Sequence, residues 1–456
     1  MKSFSNYIIS FFHCKSVGLR DLLKSAKFAQ SRVYLDNAGA TEISARAKRA
    51  LLEALDTYGN PSGIHHEGAR AGQLLDKARA LCALELNAHA YEICFVGSGT
   101  ESCNLAIVGV YSAFATHYTL HATHSELLPH LITSVIEHPA VLEPIKYLER
   151  EGKVRVTYLP VYKDGIVKVH DLREALCDET ILVSIMYANN EIGTLQPVKE
   201  IGRAIDEWKK ENGKTFTSYP YFHTDACQAA NYCNLDVLRL KCHLMTVNSS
   251  KVYGPKGIAL LYKREGIIMS PLSYGGGQER QLRSGTENVA SAYAFGVSLK
   301  EAGEMREEES LRVRALRDET VDTMKKEIPG IIFYGAFDTK RQQKIKDRGQ
   351  LVDDRQQIID NTYLELKRLP NNINCRVPGI SSEEMILRLD AQGFAVSHKS
   401  ACASMETDGS YVVQALGATE QEALENIRIS MGRSTTTKNM KTLVEAIKNI
   451  QEKYGH

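Results

Sequence analysis

Apolar positions in this chain come in short runs that alternate with stretches of helical period. The runs Val33–Leu35, Tyr91–Val96, Leu131–Ile136, Val154–Val161, Thr180–Tyr187 and Ile258–Tyr262 read as strands. Helices are predicted between them: from a Ser44 cap through Leu51, Leu52 and Leu55 to a stop at Gly59-Asn60-Pro61, then around Leu74–Leu86, Leu105–Tyr111, Val141–Leu148 and Val198–Trp208. This alternation implies an α/β body with a mainly parallel sheet covered on both faces. A long helical region from about Ala290 to Lys326 leads to a second unit, read as α+β. Its strands lie near Ile331–Tyr334, Ile373–Val377, Phe394–Ser397 and Ile427–Met431, and its helices at Ser381–Leu389 and through Leu443, Ala446 and Ile450. The division expected is an N-terminal arm over 1–45 that joins the smaller unit, a large domain over 46–300 and a small domain over 301–456. Within the last, about 339–360 is a charged insertion; its core, Lys340 to Gln357, is poor in apolar residues and carries no assigned function.

Polar clusters recur where the predicted strands end, which is where open α/β sheets place their ligands. Asp36-Asn37-Ala38-Gly39-Ala40-Thr41 is a turn-rich loop; Glu137-His138, Asn189-Asn190-Glu191-Ile192-Gly193 and Asp225 with Gln228 follow later strands. After Tyr91–Val96 the chain runs through Gly97-Ser98-Gly99-Thr100 into a helix, whose start offers free N–H groups to a phosphate. That spacing fits neither the P-loop nor the dinucleotide fingerprint, and taken alone an ordinary capped helix explains it as well. Lys251 follows the apolar run Leu244–Val247 and precedes Gly254-Pro255, which halts the chain just after the lysine. A fixed, partly desolvated lysine can attack a carbonyl or an aldehyde cofactor and form a Schiff base. A surface lysine beside a turn fits the same stretch.

Composition narrows the classes. A chain of 456 residues with 43% hydrophobic content can bury a substantial core over two or three domains. Its 56 basic side chains nearly balance 55 acidic ones, so no global field favours nucleic acid or an anionic membrane. Tyr7–Phe12 is too short to span a bilayer, and the first thirty residues read as an arm, with a mitochondrial-type presequence as the alternative. Ten cysteines without a CxxC pair or metal-ligand spacing imply no metal site and a reducing compartment, taken as the cytoplasm.

Taken together and in order, the clusters resemble the cysteine desulfurases of the class V aminotransferase family, which have the fold-type I architecture of pyridoxal-phosphate enzymes. The likeness runs from about Val33 to Glu452. It rests on Gly59-Asn60-Pro61-Ser62, Thr100-Glu101-Ser102, Glu137-His138, Asn189–Gly193, Asp225 with Gln228, Lys251 with Tyr253–Gly257, Arg283-Ser284-Gly285-Thr286, Ser400-Ala401-Cys402, and Arg428. The resemblance implies a fold with a large cofactor-binding domain and a small domain carrying the reactive cysteine. It implies that Lys251 binds pyridoxal 5'-phosphate and moves protons, that Asp225 sits by the pyridine nitrogen, and that His138 stacks on the ring. Gln228 would donate to the phenolic oxygen, and Thr100, with the N–H of Gly99 or Thr100, would cup the phosphate beside Asn248 and Ser250. Thr286 would reach that phosphate from a second subunit, which makes a homodimer with shared sites, and Arg428 with Asn190 would hold the substrate carboxylate.

Cys402 would take sulfur from L-cysteine as a persulfide, leave L-alanine, and pass the sulfur to an acceptor protein. Loop length after Cys402 resembles the long-loop group that serves iron–sulfur scaffolds and transfer-RNA thiolation. A free thiol near its usual pKa of about 8.5 is only a few per cent thiolate at neutral pH, so its surroundings must activate it. His398 and Lys399 stand where the family more often has small residues and supply two potential cations. Asn248 and Ser250 stand where it commonly has serine and histidine, so a changed phosphate cup is expected. Alternatives on the same scaffold are a selenocysteine lyase and a catalytically degenerate scaffold or regulatory homologue.

Overall fold

The computed structural model describes residues 32–121, 128–336, 367–399 and 409–455. The expected N-terminal arm before Arg32, the charged insertion and Cys402 lie outside the described residues. Strand β1 (Val33–Tyr34) comes first among the described residues and is followed by the seven strands of the central sheet. These are β2 (Ile93–Val96), β3 (His130–Ser134), β4 (Arg155–Leu159), β5 (Thr180–Ser184), β6 (Tyr221–Asp225), β7 (Leu244–Asn248) and β8 (Ala259–Lys263). Their order is β2-β8-β7-β6-β5-β3-β4, and only β8 runs against the other six.

Every residue of β2, β3, β5 and β6 is buried, because helices cover both faces. Successive side chains therefore enter two different cores. Phe95, Ile132, Val183, Phe222, Met245 and Leu260 belong to one; their neighbours Cys94, Leu131, Leu182, Tyr221, Leu244 and Leu261 belong to the other. Each such large side chain contributes about 1.5–3 kcal/mol of burial, so Phe222→Ala would cost about 3–5 kcal/mol with its cavity.

A smaller body follows, with β9 (Ile332–Phe333), β10 (Asn372–Arg376), β11 (Phe394–Ala395) and β12 (Asn426–Ser430). The antiparallel order is β12-β10-β9, and β1 pairs with β11 in parallel. Strand β1 thus joins the smaller body, over a core that includes Ile373, Ile427, Leu443 and Ile447. The helix Val289–Glu327 links the two: Phe295 and Leu299 enter the large core, Val321 and Met324 the small one.

Two elements differ from the sequence reading. The helix expected around Leu74–Leu86 starts earlier, at His66, because the His65 imidazole accepts the Gly68 N–H and so replaces the usual Ser, Thr, Asp or Asn cap. Lys251 is carried by a 3-10 turn, Ser249–Lys251, one step beyond the end of β7.

Candidate active site

The C-terminal ends of β6 and β7 set two of the site residues. Asp225 ends β6, and its Oδ1 accepts the Cys227 N–H at 2.9 Å while Oδ2 lies 4.0 Å from the Cys103 thiol. Beneath it a buried polar chain runs Ser184–His223–Thr246–Ser102 at 2.8, 3.0 and 2.8 Å and fixes β5, β6, β7 and the helix Gly99–His121 relative to one another. Burial holds the His223 imidazole down at about 4, so this chain is neutral below Asp225. Past β7, the Asn248 side chain accepts both the N–H and the hydroxyl of Ser250 at 3.2 Å, which closes the 3-10 turn and aims Lys251. Lys251 Nζ donates to Ala38 O at 2.9 Å and to Gly39 O. Its enclosure lowers its affinity for a proton, and the Arg428 charge adds to this.

The Asp36–Thr41 loop, read from sequence only as turn-rich, proves to be part of the site. Ala38 O also accepts from Gln228 Nε2 at 2.9 Å. Thr41 accepts the Tyr253 N–H at 2.7 Å and donates to Ser250 O at 3.0 Å, so it clamps the turn that carries Lys251. Asp36 accepts from Arg428 Nη2 at 2.7 Å. The contacts of Ala38 and Gly39 are made by backbone carbonyls, so no side-chain pattern announces them; the available signal was small residues after a strand.

His138 caps the helix Pro139–Arg150, its Nδ1 accepting the Ala140 N–H at 3.1 Å, which leaves the proton of the neutral ring on Nε2. Burial keeps the imidazole below its usual range; Asp225 opposes this, while Lys251 and Arg428 reinforce it. Arg428 lies on β12 and donates from Nη1 to Asn190 O at 3.0 Å. His138, Asp225, Lys251 and Arg428, from four different elements, therefore share one electrostatic neighbourhood.

Gly99 opens its helix just after Ser98, which accepts the Glu101 N–H at 3.1 Å. A Cβ at Gly99 would lie 3.3 Å from the Cys227 thiol and 3.4 Å from Asn248, so the bare glycine keeps helix start, Cys227 and Asn248 in close approach. Thr100 beside it is exposed, and so is Thr286. The loop bearing Thr286 is tied back to the Gly97 turn, since Glu101 accepts the Gly97 N–H at 2.7 Å and pairs with Arg283 at 2.9 Å. It is also held by Arg79, which grips the buried Glu279 with two bonds of 2.7 Å.

Two contacts that the sequence did not reveal join the segment after Cys402 to these strand ends. Tyr411 donates to Glu137 O at 2.6 Å, and Ser410 to the Glu191 carboxylate at 2.5 Å. On the other side, Lys399 is buried and His398 is pushed below its usual range by burial and by Lys399. His398 therefore contributes less charge than its spacing implied. Burial pushes Cys233, Cys242 and Cys375 up to about 12 and Cys103 and the half-buried Cys227 well above the ordinary thiol range, which disfavours their reactive thiolate forms.

A family model described as Aminotransferase class-V matches residues 33–347. Cysteine desulfurase IscS of Dictyoglomus turgidum is 35% identical over 422 residues, covering 92% of this chain and 95% of the relative. The chain belongs to the cysteine desulfurase family. Among solved structures, a NifS-like protein superposes with a TM-score of 0.76 at 29% identity over 92% of this chain and 99% of its own. A structure described as SspA in complex with cysteine gives 0.64 at 28% identity, over 87% and 98%. This family is pyridoxal-phosphate-dependent, and the residues gathered at these strand ends fit that cofactor. The helix start at Gly99 suits a phosphate, Asp225 Oδ2 is left with only a weak thiol neighbour among the described residues, and Lys251 is an enclosed amine at a strand end.

Proposed function

We propose that this protein converts L-cysteine to L-alanine and transfers the sulfur, as a persulfide on Cys402, to an acceptor protein. The gathering of Lys251, Asp225, His138 and Arg428 into one electrostatic neighbourhood carries the reading. Pyridoxal phosphate, when bound, supplies the electron sink for the substrate's α-carbon. Lys251 would hold the cofactor, and its lowered proton affinity favours both attack on an aldehyde and proton transfer. Asp225 would offer a buried anion to a protonated ring nitrogen, and Gln228, Asn248, Ser250, Gly99 and Thr100 would bind the cofactor's oxygens. His138 would lie against the ring as a neutral imidazole. Arg428 and Asn190 would orient the substrate carboxylate, Arg428 through its Nε, which is buried with no partner among the described residues, and Asn190 through its amide N–H groups. At Cys402 the substrate's C–S bond is replaced by an S–S bond, and a proton takes the sulfur's place on carbon.

The same proposal includes a homodimer in which Thr286 serves the other subunit's phosphate site, with the division into domains near residue 300. Exposure of Thr286 and of nearby Tyr274, 85% accessible, supports a covered face there. The acceptor is proposed to be an iron–sulfur scaffold or a partner in transfer-RNA thiolation. Among the described residues no helix is long and apolar enough to cross a membrane, and a cytoplasmic site of action is part of the proposal. The test is sulfide release from L-cysteine with reductant. Cys402→Ser should abolish it while the cofactor's visible band remains, and Lys251→Ala should lose that band. Full release by Cys402→Ser would refute the reading.

A further inference from the structure

Arg428 is nearly inaccessible, at 1% side-chain exposure, and its nitrogens are unequally occupied. Nη1 is fixed on Asn190 O, Nη2 on Asp36 Oδ1, and Nε has no partner among the described residues. A carboxylate binds a guanidinium bidentately across two adjacent nitrogens. With Nη1 engaged by a backbone carbonyl, the edge open to a ligand is Nε with Nη2, and Nη2 is the nitrogen that Asp36 holds. An incoming carboxylate therefore meets a resident one.

Asp36 is built into that place. Its backbone bridges Ser430, two residues along β12 from Arg428, and its neighbour Ala38 donates to the Ser430 hydroxyl at 2.9 Å. A Cβ at Gly39 would lie 2.4 Å from Asp36 Oδ2, so the carboxylate lies where a side chain at position 39 would intrude. Its own side chain keeps 23% exposure, which leaves it room to withdraw.

We propose that Asp36 is an internal competitor for Arg428: it compensates the buried guanidinium in the empty site and sets how tightly the site takes an amino-acid carboxylate. The inference rests on the reading of Arg428 as the carboxylate-binding residue. Asp36 acts through Arg428 and is a positioning residue. Without it, the buried cation would stand uncompensated until a ligand arrived. With it, substrate binding exchanges one carboxylate for another at Nη2 or crowds two like charges together, so affinity is moderated.

The experiment titrates the cofactor-loaded enzyme with L-alanine and with ethylamine, which is L-alanine without its carboxylate, following the visible absorption. Asp36→Asn should bind L-alanine roughly tenfold more tightly, the effect of removing one like charge beside a partly buried carboxylate, with ethylamine affinity unchanged within about twofold. Its thermal midpoint should fall without ligand and rise more on adding L-alanine than the wild-type midpoint does. Asp36→Ser provides the same comparison if the asparagine variant folds poorly. Equal or weaker L-alanine binding by the variants, or a ligand-independent loss of stability, overturns the proposal. Arg428→Ala separates the two levels: if it binds L-alanine as well as wild type does, the reading of Arg428 itself fails, and the role of Asp36 falls with it.

Discussion

Glu137→Gln probes the electrostatics beneath the site. Glu137 is fully buried just past β3; its Oε1 accepts from the Ser134 hydroxyl at 2.6 Å and the Met186 N–H at 3.0 Å, and its Oε2 has no partner among the described residues. Burial, opposed by those two hydrogen bonds and reinforced by Asp225, pushes the carboxyl up from 4.5 to about 8. At neutral pH Glu137 is thus a neutral acid. A raised pKa stabilises the fold fully below the unfolded value of about 4.5, and that contribution is lost as pH climbs through about 8. Over some 3.5 units, at 1.36 kcal/mol each, the loss approaches roughly 5 kcal/mol as an upper bound. Glutamine does not titrate, and it leaves a buried amide short of a partner at a pH-independent cost of about 1–3 kcal/mol. The variant should therefore be less stable than wild type at pH 5 and more stable at pH 8.5, as read from urea midpoints. Differences between the two proteins cancel the titration of other groups. An infrared carbonyl band of a protonated acid, present in wild type at pH 6 and missing in Glu137→Gln, checks the protonation state directly. Parallel stability curves from pH 5 to 8.5, with no such band, would refute the reasoning.

Two further predictions concern the cofactor's surroundings. Glu279→Ala strands Arg79, whose side chain is 7% exposed against 1% for Glu279, and should cost about 3–5 kcal/mol in thermal or urea unfolding. Because the 279 region anchors the loop bearing Thr286, cofactor should also dissociate faster from this variant; an unchanged dissociation rate would argue against a role for that loop. Asn248→Ala removes both bonds to Ser250 and should weaken cofactor binding by about 1–2 kcal/mol, roughly five- to thirty-fold in Kd by fluorescence titration. An unaltered Kd would mean that the Asn248–Ser250 turn is dispensable for aiming Lys251.

Much of the fold was legible because a sheet buried on both faces writes itself as short apolar runs, as in Leu131–Ile136 and Thr180–Tyr187. The polar groups that such strands cannot bury collect at their ends, so His138, Asp225 and Lys251 stood out as candidates at the ends of the predicted strands. Strand order was not legible, since nothing in a run of apolar residues says that β8 inserts between β2 and β7. The Asp36–Thr41 loop escaped because its bonds to Lys251 and Gln228 come from backbone carbonyls. Tyr411 and Ser410 escaped for a different reason: their partners Glu137 and Glu191 lie 274 and 219 residues earlier, beyond any local pattern. Glu137 was named only as half of a motif, because its burial, which makes it a neutral acid, depends on elements that meet only in the folded chain.

Where the sulfur goes decides whether Cys402 is the acceptor. A single turnover with limiting L-cysteine, followed by digestion and mass spectrometry without reductant, measures alanine and the sulfur content of each cysteine-containing peptide together. One alanine should form per sulfur atom added, with the added sulfur on the Cys402 peptide and none on those of Cys103 or Cys227. Alanine formed with the Cys402 peptide unchanged, or sulfur carried by another cysteine, would contradict that role for Cys402.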